Sequence, residues 1–170
     1  MLAKFWQKQS VLDRFDLQLL NLVQQDDSRT ADSLAKEVPL SPSAIARRLR
    51  RLRSEGRIAR SIARLGRELT ESRLRAFVFI ELSDHTDLAS KTALEHRLVN
   101  AAKVQFCYET SGEQDLVALL DCTNMGEFNQ LCDELLGANS AVRRYVTSFV
   151  KREIKFAPFL LLSEASASDR

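Results

Sequence analysis

The spacing of apolar residues along the chain changes once, near Leu74. Before that point it has the helical period. Phe15, Leu19, Leu20, Leu22 and Val23 form one stripe of a helix beginning after Asp13, and Asp26-Asp27-Ser28 interrupts it. Thr30 is placed to cap a short second helix whose buried side is Ala31, Leu34, Ala35 and Val38. After Pro39-Leu40 a third helix opens with Ser41 as N-cap and Pro42 at its first position, where the missing amide hydrogen had no helical partner anyway. It ends near Ser54-Glu55, with Gly56 free to turn left-handed. Arg57–Arg60 has room only for a small strand or an extended connection.

Beyond Leu74 the period becomes two. In Leu74–Leu82, Ala76, Val78, Ile80 and Leu82 line one face, while Phe77 and Phe79 lie on the other. A strand apolar on both faces needs cover on both sides. Residues 86–100 read as a helix with Leu88, Leu94, Leu98 and Val99 as candidate core. Val104–Thr110 and Leu116–Asp121 read as strands joined by Ser111–Asp115. Asn124 and Glu127 have capping-box spacing before Phe128, Leu131, Cys132, Leu135 and Leu136; Gly137 stops that helix, and Arg144–Ile154 supplies a last strand. The order β-α-β-β-α-β predicts an antiparallel sheet with both helices on one face, so the other face is a candidate for dimerisation.

Composition narrows the partners. The net charge of +2 is small, but nine of the arginines fall in residues 41–67 against Glu55 alone. That is +8 locally and −6 over the rest of the chain, the pattern of an anion-binding region on an acidic body. Cys107, Cys122 and Cys132 are odd in number and lack close metal-ligand spacing, and His85 and His96 are the only histidines. No disulfide scaffold, metal or cofactor is expected, and the cysteines fit a reducing compartment. MLAKFWQKQS has no apolar run of a signal peptide, residues 1–11 read as a short leader, and the polar end from Ser163 reads as frayed. No segment has the length to span a bilayer, so a cytoplasmic protein is expected.

On a wheel, Ile45, Leu49 and Leu52 of the third helix fall within about 60° and mark its buried side. Ser43, Arg47, Arg50, Arg51 and Ser54 lie opposite, with Arg48 and Arg53 flanking. Like charges four apart, as at Arg47/Arg51 and Arg60/Arg64, cost a few tenths of a kcal/mol unless countered. Three helices with a cationic third match a helix-turn-helix, whose first-turn side chains meet base edges while surrounding groups hold phosphates. Ser43 and Arg47 are then candidates for base edges and Ala44 for a thymine methyl. Arg50 and Arg51 can reach bases or backbone. Arg48, Arg53, Arg57 and Arg60 suit phosphate, and Ser41 joins the set at the helix start.

These residues resemble the Lrp/AsnC (feast/famine) family of transcriptional regulators. Leu12–Leu20 looks like the family's LDxxDxxIL opening, and Leu40–Ser43 with Arg47–Leu52 and Glu55–Ile58 looks like its recognition segment. Ser111–Asp115 resembles its SG(D/E)xD turn, and Val142, Arg144, Thr147, Val150 and Lys155 its closing strand. The fold class expected is α+β. A winged helix-turn-helix domain covers 12–60, a linker 61–73, a ferredoxin-like βαββαβ effector and oligomerisation domain 74–156, and a C-terminal extension and tail 157–170. The resemblance implies binding to double-stranded DNA, homodimers and in many members octamers, and an amino-acid effector held at Thr110, Ser111, Gly112, Glu113 and Asp115. A carboxylate such as Asp115 can accept from an α-ammonium group. Three positions depart from the pattern: Pro39 stands where glycine is usual in the turn, Tyr145 replaces a common threonine, and Phe156–Leu162 extends past the usual end.

Two other readings compete. No catalytic constellation surrounds His85, His96 or the cysteines, which argues against an enzyme. An RNA-binding module would use Phe77, Phe79, Phe106 and Tyr108 as a stacking platform, but the positive charge lies outside that domain. A DNA-binding regulator without a small-molecule effector also remains open.

Overall fold

The computed structural model describes residues 11–83, 87–137 and 140–163. The leader, His85 and the tail after Ser163 lie outside them. The chain forms two compact units, one of residues 1–63 with 156–170 and one of residues 64–155.

In the first unit, α1 (Arg14–Val23), α2 (Ala31–Leu34) and α3 (Pro42–Ser54) surround a core of Leu19, Leu20, Val23, Leu34, Val38, Ile45, Leu49 and Leu52. Each helix starts where a side chain can satisfy its first amides. Asp13 caps α1 and forms a reciprocal box with Asp16, Thr30 accepts from the Ser33 N–H, and Ser41 accepts from the Ala44 N–H. At Pro39 the Leu40 N–H donates to the Val38 carbonyl at 2.7 Å, closing a tight three-residue turn. No residue of that turn has positive φ, so proline changes the local path as its fixed φ requires. Gly56 alone among the described residues does, at φ 71°, and it ends α3. Residues 57–63 continue as an extended connection without a ladder partner.

The second unit opens with a single helical turn, α4 (Arg67–Thr70), inside the expected linker. Then follow β1 (Leu74–Leu82), α5 (Leu88–Asn100), β2 (Val104–Glu109), β3 (Leu116–Cys122), α6 (Met125–Cys132) with a wider π-type turn at Asp133–Gly137, and β4 (Val142–Phe149). The strands make one antiparallel sheet in the order β2-β3-β1-β4. Register sets its two faces. Val78 pairs with Ala118 and Ala76 with Leu120, and these small and branched residues pack with Leu94, Leu98, Phe128 and Leu131 of the helices. On the reverse, Phe77 pairs with Leu119 and Phe79 with Val117, which in turn oppose Phe106 and Tyr108. Ring centroids there are 6.0 Å apart for Phe77–Phe106 and 5.2 Å for Phe106–Tyr108, forming an aromatic band on the face opposite the one that α5 and α6 cover.

Several expectations need correction. Leu88 and Val99 are exposed, because α5 turns only Leu94 and Leu98 to the sheet. The last strand stops at Phe149, opposite Ala76, five residues early; one further bond, from the Val150 N–H to the Arg75 carbonyl at 2.8 Å, follows it before the segment leaves β1. Glu127 reaches past the α6 N-cap to the Thr123 N–H, so its reciprocal arm lies one residue upstream of a standard box. Residues 160–162 pack on α1 of the first unit.

Candidate nucleic-acid interface and effector turn

α3 has one side that holds it and one that does not. Ile45, Leu49 and Leu52 are buried. Arg48 spans from α3 to both Asp13 (2.7 Å) and Asp16 (2.8 Å) of α1, and Arg51 reaches Asp16 at 2.6 Å. Asp16 is fully buried, so two guanidiniums converge on one carboxylate inside the helix packing. Desolvation works against the Asp13 carboxylate, but the Asp16 amide and the Arg48 guanidinium together keep its pKa below the usual carboxylate value. The hydrogen bonds that Arg48 donates to the Asp13 and Asp16 carboxylates raise its own pKa. Arg48 also lies over the Phe15 ring, 5.8 Å from its centroid. The wheel put Arg51 outward; its long side chain instead bends along the flank it shares with Arg48.

The remaining candidates divide by their partners. Ser43, Arg47 and Arg50 are exposed, and neither arginine has an ion-pair partner among the described residues. Ser41 and Ser43 hydroxyls lie 3.1 Å apart at the helix start, with Ala44 half-buried beside them. Arg53 pairs with Asp27 at 2.6 Å, an exposed bridge of the kind that contributes little and that a phosphate can replace. Arg57 is half-buried, and Arg60 is exposed in the extended connection. Proximity of like charges at Arg47 and Arg51 is thus relieved within the chain by Asp16.

The turn from Thr110 to Asp115 joins β2 and β3. Thr110, Ser111, Gly112 and Glu113 are exposed. Its base is pinned: the Thr110 N–H donates to the Asp115 carbonyl (2.8 Å), the Asp115 N–H to the Ile80 carbonyl (3.0 Å), and the Leu82 N–H to Asp115 Oδ2 (2.7 Å). Asp115 therefore supports the irregular step at Glu81/Leu82 of β1, a role that its sequence position did not reveal. Its Oδ1 accepts from no donor among the described residues. A Cβ at Gly112 would meet nothing within 4 Å, so this chain alone imposes no glycine there. The open depression of about 1110 Å³ along α5, lined by Leu88, Ala93, His96 and Arg97 among others, does not include the turn.

Other chemistry-bearing residues have quieter surroundings. Burial raises the Cys132 thiol to about 11, with the neighbouring Cys122 adding to the effect, and Cys122 is raised chiefly by burial. His96 is exposed beside Asn100. Among the described residues no cluster of His, Cys, Asp or Glu could hold a metal, and no helix is long and apolar enough to cross a membrane.

Comparison with known proteins agrees with this division of labour. Residues 12–59 match a family model described as winged helix-turn-helix DNA-binding, and residues 75–158 match the Lrp/AsnC ligand binding domain. The transcriptional regulatory protein DoeX of Halomonas elongata is 32% identical over 146 residues, covering 85% of this chain and 90% of that protein. A transcriptional regulator from Neisseria meningitidis, solved as its L-Met complex, superposes with TM-score 0.77 at 27% identity, over 88% of this chain and 96% of the other. A feast or famine regulatory protein from M. tuberculosis complexed with L-methionine gives 0.73 at 26%, over 89% and 99%. With both of its units matched in order, and an α3 whose cationic side faces out, the chain belongs to the Lrp/AsnC family of DNA-binding transcriptional regulators.

Proposed function

We propose that this regulator binds double-stranded, roughly palindromic DNA as a homodimer or a higher assembly, and that an α-amino acid modulates it. Residues 12–60 make the DNA contacts. Ser43, Ala44, Arg47 and Arg50 face base edges in the major groove, and Ser41, Arg53, Arg57 and Arg60 hold phosphate. One observation carries the reading: α3 buries Ile45, Leu49 and Leu52 while Arg47 and Arg50 stand exposed on the far side, without an ion-pair partner among the described residues. Arg48 and Arg51 act mainly in holding α3 against α1.

Residues 74–156 carry self-association and effector binding. The aromatic band of Phe77, Phe79, Phe106 and Tyr108 supports pairing of two sheets face to face. The effector lies at Thr110–Asp115, where Asp115 Oδ1 accepts from the ammonium group and Gly112 lets the backbone approach. The turn is exposed over residues 110–113 and does not line the depression along α5, which supports a site walled on its other side by a second copy. Because two similar structures are complexes with L-methionine, that amino acid is the first to test. Base stacking of RNA on the band has less support, since Arg144 beside it is bound to Glu81 and Arg75 to Glu153. The protein acts in the cytoplasm and catalyses no reaction.

Gel-shift titration against genomic fragments at rising salt tests the DNA reading. Arg47→Ala and Arg50→Ala should each weaken binding by about tenfold or more with unchanged melting temperature. Unchanged affinity would refute the assignment. Thermal-shift screening of the twenty amino acids tests the effector. Gly112→Ala should keep the ligand-free melting temperature and abolish stabilisation; no stabilisation of wild type by any amino acid overturns the sensor reading.

A further inference from the structure

The last described residues return to the first unit. The chain leaves that unit after Ala63 and re-enters it at Phe156. There, two side-chain amides of α1 grip the main chain of the extended segment. Asn21 donates from Nδ2 to the Leu162 carbonyl (2.8 Å) and accepts the Leu162 N–H (2.9 Å). Gln24 accepts the Leu160 N–H (2.8 Å) and donates from Nε2 to the Leu160 carbonyl. Each amide thus does what a neighbouring strand would do, satisfying both polar groups of one residue.

The geometry is suited to an extended chain. Asn21 and Gln24 are three apart on one helix face, a rise of about 4.5 Å, and Leu160 and Leu162 are two apart on a strand, about 6.6 Å. The flexible amides cover the difference, and the segment runs antiparallel to α1. Leu162 is half-buried and packs against the helix-turn-helix core. Residues 156–162 carry no charge, and Pro158, which has no amide hydrogen, precedes both gripped positions. Residues 159–162 fall outside both family models, which end at 59 and 158.

We propose that residues 156–162 are a strap that completes the DNA-binding unit, docked on α1 by main-chain recognition through Asn21 and Gln24. Release of the strap loosens α1, and through the Asp16 pairs with Arg48 and Arg51 it loosens α3. The strap follows β4 in sequence after a short connection, and its hold on α1 is made by hydrogen bonds within the first unit. The DNA-binding unit is accordingly discontinuous in sequence.

Amide hydrogen exchange on the full-length protein provides the test. Leu160 and Leu162 should be protected while Phe159 and Leu161, whose amides have no hydrogen bond among the described residues, are not. The Asn21→Ala/Gln24→Ala variant should erase that alternation and speed exchange at Leu49 and Leu52 by about tenfold, leaving Val78 and Ala118 unchanged. A chain truncated after Lys155 should match it. If the four strap amides exchange alike in wild type, or if α3 exchange is unmoved in both variants, the proposal is overturned. Neither readout uses DNA or an effector, so the strap can fail while the regulator reading stands, and the reverse.

Discussion

Replacing Asp16 with alanine should destabilise the DNA-binding unit selectively. The carboxylate is fully buried and receives Arg48 at 2.8 Å, Arg51 at 2.6 Å and the Asp13 N–H at 3.2 Å. Removing one member of a buried ion pair typically costs about 3–5 kcal/mol, because the partner is left desolvated and unpaired. Here the arginines are 22% and 37% exposed, and Arg48 keeps Asp13, so they can partly regain water. The expected loss is therefore at the low end, about 2–4 kcal/mol. A unit of this size has a total stability on the order of 3–10 kcal/mol, so the loss is a large fraction of it. Asp16→Asn keeps volume and one acceptor and should cost less, about 1–2 kcal/mol. Urea titration read by exchange at Leu19, Ile45 and Leu49 follows this unit, while Val78 and Ala118 follow the other. Adding Arg48→Ala to Asp16→Ala should cost less than Arg48→Ala costs in the wild type, because of its two carboxylates only Asp13 is left to lose. A loss under about 1 kcal/mol, or equal effects in both units, would refute the claim that this cluster fixes α3.

Three further outcomes are expected. Gly56→Ala, at φ 71° with open space around it, should destabilise the first unit by about 1 kcal/mol through backbone strain alone; Gly56→Asn should recover part of this in urea denaturation. Glu127 is lowered to about 2, first by its hydrogen bond with Lys103 and then by the Thr123 amide. A depressed carboxyl stabilises above its unfolded pKa of about 4.3 and loses that contribution as pH falls toward 2, so the melting difference between wild type and Glu127→Gln should be full at pH 6 and vanish near pH 2. Phe79→Arg, on the uncovered sheet face, should shift the solution mass toward monomer in sedimentation; an unchanged mass would place the interface elsewhere.

Much of this was legible in the sequence because local rules decided it. Asp13, Thr30 and Ser41 stand where a cap is needed, Gly56 where a left-handed residue is needed, and the alternation in Leu74–Leu82 specifies both faces of β1. What local rules do not determine was less visible. Leu88 and Val99 have helical spacing, but the sheet is covered by α5 only over Leu94 and Leu98. Of the arginines, composition could count charge but could not separate Arg48, Arg51 and Arg53, which find carboxylates on distant segments, from Arg47 and Arg50, which find none among the described residues. Asp115 read as a ligand group, yet one of its oxygens serves the backbone of β1, a pairing made across 33 residues. The docking of Leu160 and Leu162 on α1, 136 and 141 residues away in sequence, leaves no periodic signal at all.

The partition of α3 has an evolutionary consequence. The side chains that hold the helix, Arg48 and Arg51 with Leu49 and Leu52, interleave in sequence with the exposed Ser43, Arg47 and Arg50, which take no part in the Asp16 cluster or the buried core. If the outward positions read bases as proposed, mutation there can explore new target sequences without first crossing a valley of unfolded intermediates. A duplicated copy of such a gene can drift to a different operator one residue at a time, and remain a folded protein at every step.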